Sequence, residues 1–266
     1  MDMKKQFMTA VLAAATLSFT ATASMAAIEG CPDEIVVGTE GAYPPFNYID
    51  EGGNLKGFDI DIANALCDEI GAECTFQTQD WAGIIPGLLA NKYDAIIASM
   101  SITAEREEKV DFTKKYYQSP ARFVAPKGLD VEISEEGLDG MIVGTQRATV
   151  SENFLRDNFG DVLDIKTYDT QEEASLDLIS GRLDLVFADA IKLQEGFLAS
   201  DDGENYEFKG PSFSDPEWFG EGIGIAVRPG EDTLRQCFNT AIDNILENGT
   251  YERISNEHFG MNIYGE

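Results

Sequence analysis

Histidine and cysteine, two residue types that often carry catalysis and bind metals, are scarce in this chain. It has one histidine, His258, so a multi-histidine metal site is excluded, and Ser-His-Asp or Cys-His chemistry has a single base to draw on, far from any nucleophile-like motif. That histidine reads as structural or exposed, and no catalytic residue, metal or cofactor is expected. Four cysteines remain. Cys67 and Cys74 are separated by Asp68-Glu69-Ile70-Gly71-Ala72-Glu73, which reads as a last helical turn, a glycine C-cap and the entry to a strand. Such a reversal can bring the two sulfurs together. Cys31 and Cys237 either bridge to each other or stay free and buried, since four cysteines allow three connectivities. The 19 basic residues against 48 acidic ones leave a net charge of −29, a field that repels nucleic acid and anionic lipid.

The first 26 residues read as an address. Met1-Asp2-Met3-Lys4-Lys5 is a short basic start, Val11 to Phe19 is mostly apolar, and Ser24-Met25-Ala26 supplies the small residues that a signal peptidase reads. Export past the cytoplasm, with cleavage after Ala26, is expected, and cysteines there are expected to pair.

The remainder is written twice. Glu34-Ile35-Val36-Val37-Gly38-Thr39 recurs as Gly140-Met141-Ile142-Val143-Gly144-Thr145, and Asn91-Lys92-Tyr93-Asp94-Ala95-Ile96-Ile97-Ala98 as Gly181-Arg182-Leu183-Asp184-Leu185-Val186-Phe187-Ala188. Each unit alternates strands with helices. Phe58, Ile62, Ala63, Leu66 and Ile70 repeat at helix spacing until Gly71, and Cys74 to Thr78 alternates as a strand. Asp80 is expected to cap a helix through Leu89, Thr149-Val150-Ser151-Glu152 to form a capping box, Ile165 to Tyr168 a strand, and Glu172 to Ser180 and Glu231 to Glu247 further helices. Two such units predict two α/β lobes, each with a mainly parallel sheet. The stretches at 118–122 and 211–224 read as crossings between them, and ligands of such sheets sit at the carboxyl ends of the strands.

At those strand ends four motifs stand in order: Gly57-Phe58-Asp59-Ile60-Asp61-Ile62-Ala63, Ala98-Ser99-Met100-Ser101-Ile102-Thr103-Ala104-Glu105-Arg106, Asp111-Phe112-Thr113 and Gly249-Thr250-Tyr251. Together with the Cys67/Cys74 spacing they resemble the polar amino acid family of periplasmic solute-binding proteins, the lysine-arginine-ornithine and histidine receptors in particular. The resemblance implies an α/β, two-lobe type II periplasmic binding protein fold with a two-strand hinge. Lobe 1 would comprise 27–117 and 223–266, lobe 2 121–214, and the hinge 118–120 and 215–222. It also implies a monomeric periplasmic receptor that closes on an amino acid and hands it to the membrane permease of an ABC importer, with a Cys67–Cys74 disulfide.

The resemblance implies a site as well. Arg106 offers a planar fork to the ligand carboxylate, and the helix start at Thr149 and Val150 offers free N–H groups to the same anion. Ser99, Ser101 and Asp189 receive the ammonium. Glu40, Tyr43 and Trp81 surround the side chain, where two aromatic faces and a carboxylate suit a guanidinium. Departures from the basic-amino-acid receptors occur at Ala98, Gln146 and Ala148, and Gln146 places an amide at the far end of the pocket. Glutamine or another neutral polar amino acid is therefore the alternative cargo. An enzyme resembling the cyclohexadienyl dehydratases of this fold is the alternative class, against which stands the lack of a second unpaired acid or base at a reactive spacing.

Overall fold

The computed structural model describes residues 28–265; the leader expected over residues 1–26 lies outside them. β1 (Glu34–Thr39) leads through a small antiparallel sheet of β2 (Ala42–Tyr43), β3 (Asn47–Ile49) and β4 (Leu55–Lys56) into α1 (Phe58–Ile70). Next come β5 (Glu73–Thr78), α2 (Ile84–Leu89), β6 (Ala95–Ser101), the single turn α3 (Ala104–Glu107) and β7 (Asp111–Tyr117). The middle of the chain forms β8 (Ala121–Pro126), α4 (Glu135–Leu138), β9 (Ile142–Gln146), α5 (Val150–Phe159), β10 (Asp164–Tyr168), α6 (Gln171–Ile179), β11 (Leu185–Asp189), α7 (Ala190–Leu193), β12 (Tyr206–Phe213) and α8 (Pro216–Phe219). β13 (Ile223–Val227), α9 (Asp232–Glu247) and α10 (Thr250–Phe259) follow.

Two five-stranded sheets result, ordered β5-β1-β6-β13-β7 and β10-β9-β11-β8-β12. In each, β1 or β9 pairs in parallel with both neighbours, and one strand, β13 or β8, runs against the rest. The antiparallel strand of each sheet is the one the chain enters on crossing from the other: β7 of the first sheet feeds β8 of the second, and β12 of the second feeds β13 of the first.

Period-2 alternation explains why both faces of each sheet are buried. Ile35, Val37, Ala95, Ile97, Ile225 and Val227 pack against α1, α9 and α10, while Ile96, Ala98 and Met100 point to the opposite face with Ile84 and Leu88 of α2. In the second sheet Val143, Leu185 and Phe187 meet Phe154 and Leu155 of α5, and Val186 and Ala188 meet Ala174 and Leu178 of α6. Each fully buried branched or aromatic side chain contributes about 1.5–3 kcal/mol. The repeated Gly-Thr has a packing cause: a Cβ on Gly38 would lie 2.5 Å from the Tyr93 ring, and one on Gly144 2.3 Å from Leu183.

Local capping departs from expectation at two points. Asp80 makes no side-chain cap bond, because the chain opens with a 3-10 turn at Trp81–Gly83 in which Gly83 N–H is taken by the Asp80 carbonyl; α2 starts only at Ile84. Thr149 caps α5 by accepting from Glu152 N–H, but the Glu152 carboxylate takes the N–H of Ala148 at 2.7 Å rather than that of Thr149. Ala148 sits at φ +58°, which redirects its amide. The reciprocal box forms instead between Thr170 and Glu173. Both disulfides are made, Cys67–Cys74 and Cys31–Cys237. His258 pairs with Asp61 of α1 at 2.7 Å, a structural contact.

Candidate functional site

Between the two sheets, at the carboxyl ends of β1, β6, β9 and β11, lies a cavity of about 640 Å³, part of it open to solvent. Glu40 directly follows β1, and Gln146 ends β9. They meet: Gln146 Nε2 donates to Glu40 Oε1 at 2.6 Å and to the Asp169 carbonyl at 3.0 Å. Both are buried. Burial pushes the Glu40 carboxyl up to about 7 from its ordinary 4.5, although the Gln146 bond and the charge of Lys192 pull the other way.

One end of the cavity is built for an anion. Thr103 Oγ1 accepts from Arg106 N–H and starts the turn α3, which aims the guanidinium inward. Arg106 is 9% exposed, donates from Nη1 to the Ser101 carbonyl at 3.0 Å and lies 5.3 Å from the centroid of Trp81. Burial lowers its pKa to about 10, so it stays charged at neutral pH. Trp81 reaches the other sheet's side by donating from Nε1 to the Ala148 carbonyl at 2.9 Å. Thr149, the N-cap of α5, and Val150 and Ser151, its first residues, line the same cavity, so a fixed cation and the positive end of a ten-residue helix both border it.

The opposing charge is Asp189. Its carboxylate caps α7, accepting from Lys192 N–H at 2.9 Å. Burial pushes it up to about 6 from 3.8, against the lowering effect of the Lys192 amide and the Ser119 hydroxyl. Ser99, which lines the same cavity, is held at φ +54°. Its hydroxyl donates to Asp59 Oδ2 at 2.9 Å and its amide to Tyr116 Oη at 3.1 Å. Asp59 is fully buried and also accepts from Asn47 and Tyr116; burial raises its pKa. Tyr43 on β2 completes the wall near Glu40, its ring stacked on Phe46 at 5.9 Å.

A pocket with a cation and helix end opposite a carboxylate can hold a zwitterion, and a second carboxylate among aromatic faces can hold a cationic tail. Residues 35–261 match the model of the bacterial extracellular solute-binding proteins, family 3. The chain belongs to that family. Among its relatives, the L-arginine-binding protein of Pseudomonas aeruginosa is 43% identical over 230 residues, 86% of this chain and 89% of the relative. The histidine-binding periplasmic protein of Escherichia coli K12 is 38% identical over 92% of this chain and 94% of its own length. A solved structure of a Salmonella typhimurium periplasmic binding protein, described for its high arginine specificity, superposes with a TM-score of 0.79 at 34% identity, covering 86% of this chain and all (100%) of that one. These relatives carry names of binding proteins, in agreement with the expectation of a binder rather than an enzyme.

All ten residues singled out in the sequence line this one cavity: Glu40, Tyr43, Trp81, Ser99 and Ser101 with Arg106 on the first sheet's side, and Gln146, Thr149, Val150 and Asp189 on the second's. Four further contributors carried no such expectation. Asp59 stands within a quoted motif but was assigned no task; it orients Ser99. Ser119, in the crossing segment, and Gln171, whose Oε1 accepts from Gln146 N–H at 3.2 Å, also line the cavity. Lys192 is hidden behind Tyr43, and nothing in its local sequence distinguishes it from a surface lysine.

Proposed function

We propose that this family-3 protein is an extracytoplasmic receptor for a cationic amino acid, arginine or a close relative of it, which it binds between two closing lobes and delivers to the permease of an ABC importer. The observation that carries the reading is the opposition, in one cavity, of Arg106 and the α5 N-terminus to Asp189, with Glu40 at the remaining end. Arg106, Thr149 and Val150 hold the ligand carboxylate; Asp189, Ser99 and Ser101 hold the ammonium; Glu40, Tyr43, Trp81 and Gln146 take the side chain. Charge-assisted bonds of this kind contribute about 1.5–3 kcal/mol each, and micromolar affinity needs only about −8 kcal/mol. The arginine and histidine named for the relatives support the cationic reading.

In this reading the lobes are 27–117 with 223–266, and 121–214, hinged at 118–120 and 215–222. Closure follows because Arg106 and Asp189 stand on different sheets and one ligand satisfies both only when the cleft shuts. The leader at 1–26 directs export, and the mature receptor acts as a monomer without nucleic acid. Calorimetric titration with the common amino acids tests the proposal: one-to-one binding with arginine, lysine or ornithine tightest is expected. A preference for glutamine would replace the cationic pocket by a neutral one built on Gln146, and absence of binding to any amino acid would remove the receptor reading.

A further inference from the structure

Lys192 is the most deeply buried cation among the described residues, with 1% of its side chain exposed. It is the third residue of α7, the helix that Asp189 caps, and its chain runs back toward the cavity. The ammonium pairs with Glu172 in the first turn of α6 and stands 5.4 Å from the centroid of Tyr43, on the other sheet's side. Room for it is left by Gly196, where a Cβ would fall 2.8 Å from the ammonium and 2.6 Å from the Pro44 carbonyl. Glu172, by contrast, is 43% exposed, so water shares the work of stabilising its charge. The other ionisable groups in the field of the ammonium are Glu40 and Asp189.

A buried lysine beside an exposed glutamate is a poor stabilising device, because desolvating the ammonium offsets most of the Coulomb gain. Its location suggests a different use. The side-chain end of the cavity presents Glu40 and Tyr43 to the ligand, and Lys192 places an ammonium against that same ring; burial lowers its pKa, and the charges of Glu172, Glu40 and Asp189 oppose that loss. Resting on the amino acid receptor reading above, we propose that Lys192 is a specificity-determining residue: it subtracts from the attraction Glu40 offers a cationic tail, so that the pocket also accepts long neutral polar tails of the same shape. Glu172 sets the size of that subtraction by partly neutralising the ammonium. Inside the cavity such charges are weakly screened, so the effect persists in salt.

The test uses arginine and its neutral isostere citrulline, titrated calorimetrically into the exported protein at pH 7.5, above the value of about 7 that burial imposes on Glu40 and no higher, because burial also lowers the pKa of Lys192. Lys192→Met removes the charge and keeps the length. It leaves Glu172 facing water, so the fold is expected to survive, as a thermal melt will check. The ratio of arginine to citrulline affinity should rise at least tenfold in Lys192→Met and stay within threefold of wild type in Lys192→Arg. Glu172→Gln, which leaves the ammonium less neutralised, should move the ratio the other way, by about threefold, and serves if the methionine variant does not fold. Ratios unchanged in Lys192→Met and Glu172→Gln, with both ligands still bound, would overturn the proposal and reduce Lys192 to an ion pair holding α7 to α6. Failure of the wild type to bind either ligand would instead overturn the receptor reading and this inference with it.

Discussion

The two repeats of this protein share a frame and differ where it matters. In each, the aspartate before the third strand accepts a backbone N–H from the first: Asp94 from Val36 at 2.9 Å, Asp184 from Ile142 at 2.8 Å. In each, a glycine on the first strand makes room for the side chain before that aspartate, Tyr93 or Leu183. One residue beyond these matched positions the chemistry diverges. After Gly-Thr the first repeat has Glu40 and the second Gln146, and the two touch across the cavity. After the matched Ala98 and Ala188 the first has Ser99 and the second Asp189. The first repeat has its carboxylate one layer back, on Asp59, wholly enclosed by Asn47, Ser99 and Tyr116; the second presents it at the strand end. A duplicated scaffold thus meets itself with complementary groups at one pair of matched ends, carboxylate to amide. Mechanical reinforcement is also unequal, since Cys31, Cys67, Cys74 and Cys237 all stand on segments packed on the first sheet.

That inequality predicts the largest effect. Replacing Cys31 and Cys237 by serine opens a loop of 206 residues and should cost about 5 kcal/mol, whereas opening the seven-residue Cys67–Cys74 loop should cost about 2–3 kcal/mol. Urea unfolding of the two variants measures both; equal costs would break the ordering. Reduction should accordingly loosen the first sheet's layers before the second's, which hydrogen exchange resolves.

Next in size is the contrast between Asp189 and Ser99. Asp189→Asn keeps an N-cap for α7 but removes the charge, and should weaken every amino acid ligand by about 2–5 kcal/mol. Ser99→Ala at the matching position should cost about 1 kcal/mol. If titrations gave the two variants the same loss, the second repeat would not be the one that supplies the counter-charge.

Glu40→Gln makes the two repeats alike at the Gly-Thr end. It should cost a cationic ligand about 1.5–3 kcal/mol while sparing neutral amino acids, as competition between arginine and glutamine will show. A variant that retained its preference for arginine would place the cationic contact elsewhere.

The smallest effect is graded with pH. A bound ammonium or guanidinium needs an ionised partner, so protonation of that partner competes with the ligand. Burial raises Asp189 to about 6 and Glu40 to about 7. Affinity should therefore rise with pH and level off above these values. Cationic ligands should begin to weaken as pH falls through about 7, neutral ones only below about 6, each group contributing at most about 1.4 kcal/mol per pH unit. Titrations between pH 5 and pH 9, as an order-of-magnitude span around these values, will separate the two curves; coincident curves would show that Glu40 does not read the side chain.

Much of this was determined by the sequence alone, because it rests on short-range regularities. The duplication, the strand and helix periods, the Gly71 stop and the seven-residue cysteine spacing are local patterns whose outcome depends on backbone geometry. Arg106 and Asp189 were legible through the family resemblance that the four short motifs carry, and both lie near strand ends, where α/β sheets collect ligands. The tertiary structure decided what local pattern cannot encode. The pairing of Glu40 with Gln146 joins residues 106 positions apart, and the bridge from Cys31 to Cys237 spans 206. Lys192 became a buried cation only because Gly196, which lacks the Cβ that would press on the ammonium and on the Pro44 carbonyl, leaves space for it, and Asp80 failed to cap its helix because the neighbouring turn tightened. Period and propensity assign each residue a face; which faces then meet is set by how two sheets close on each other, and there burial and charge are fixed.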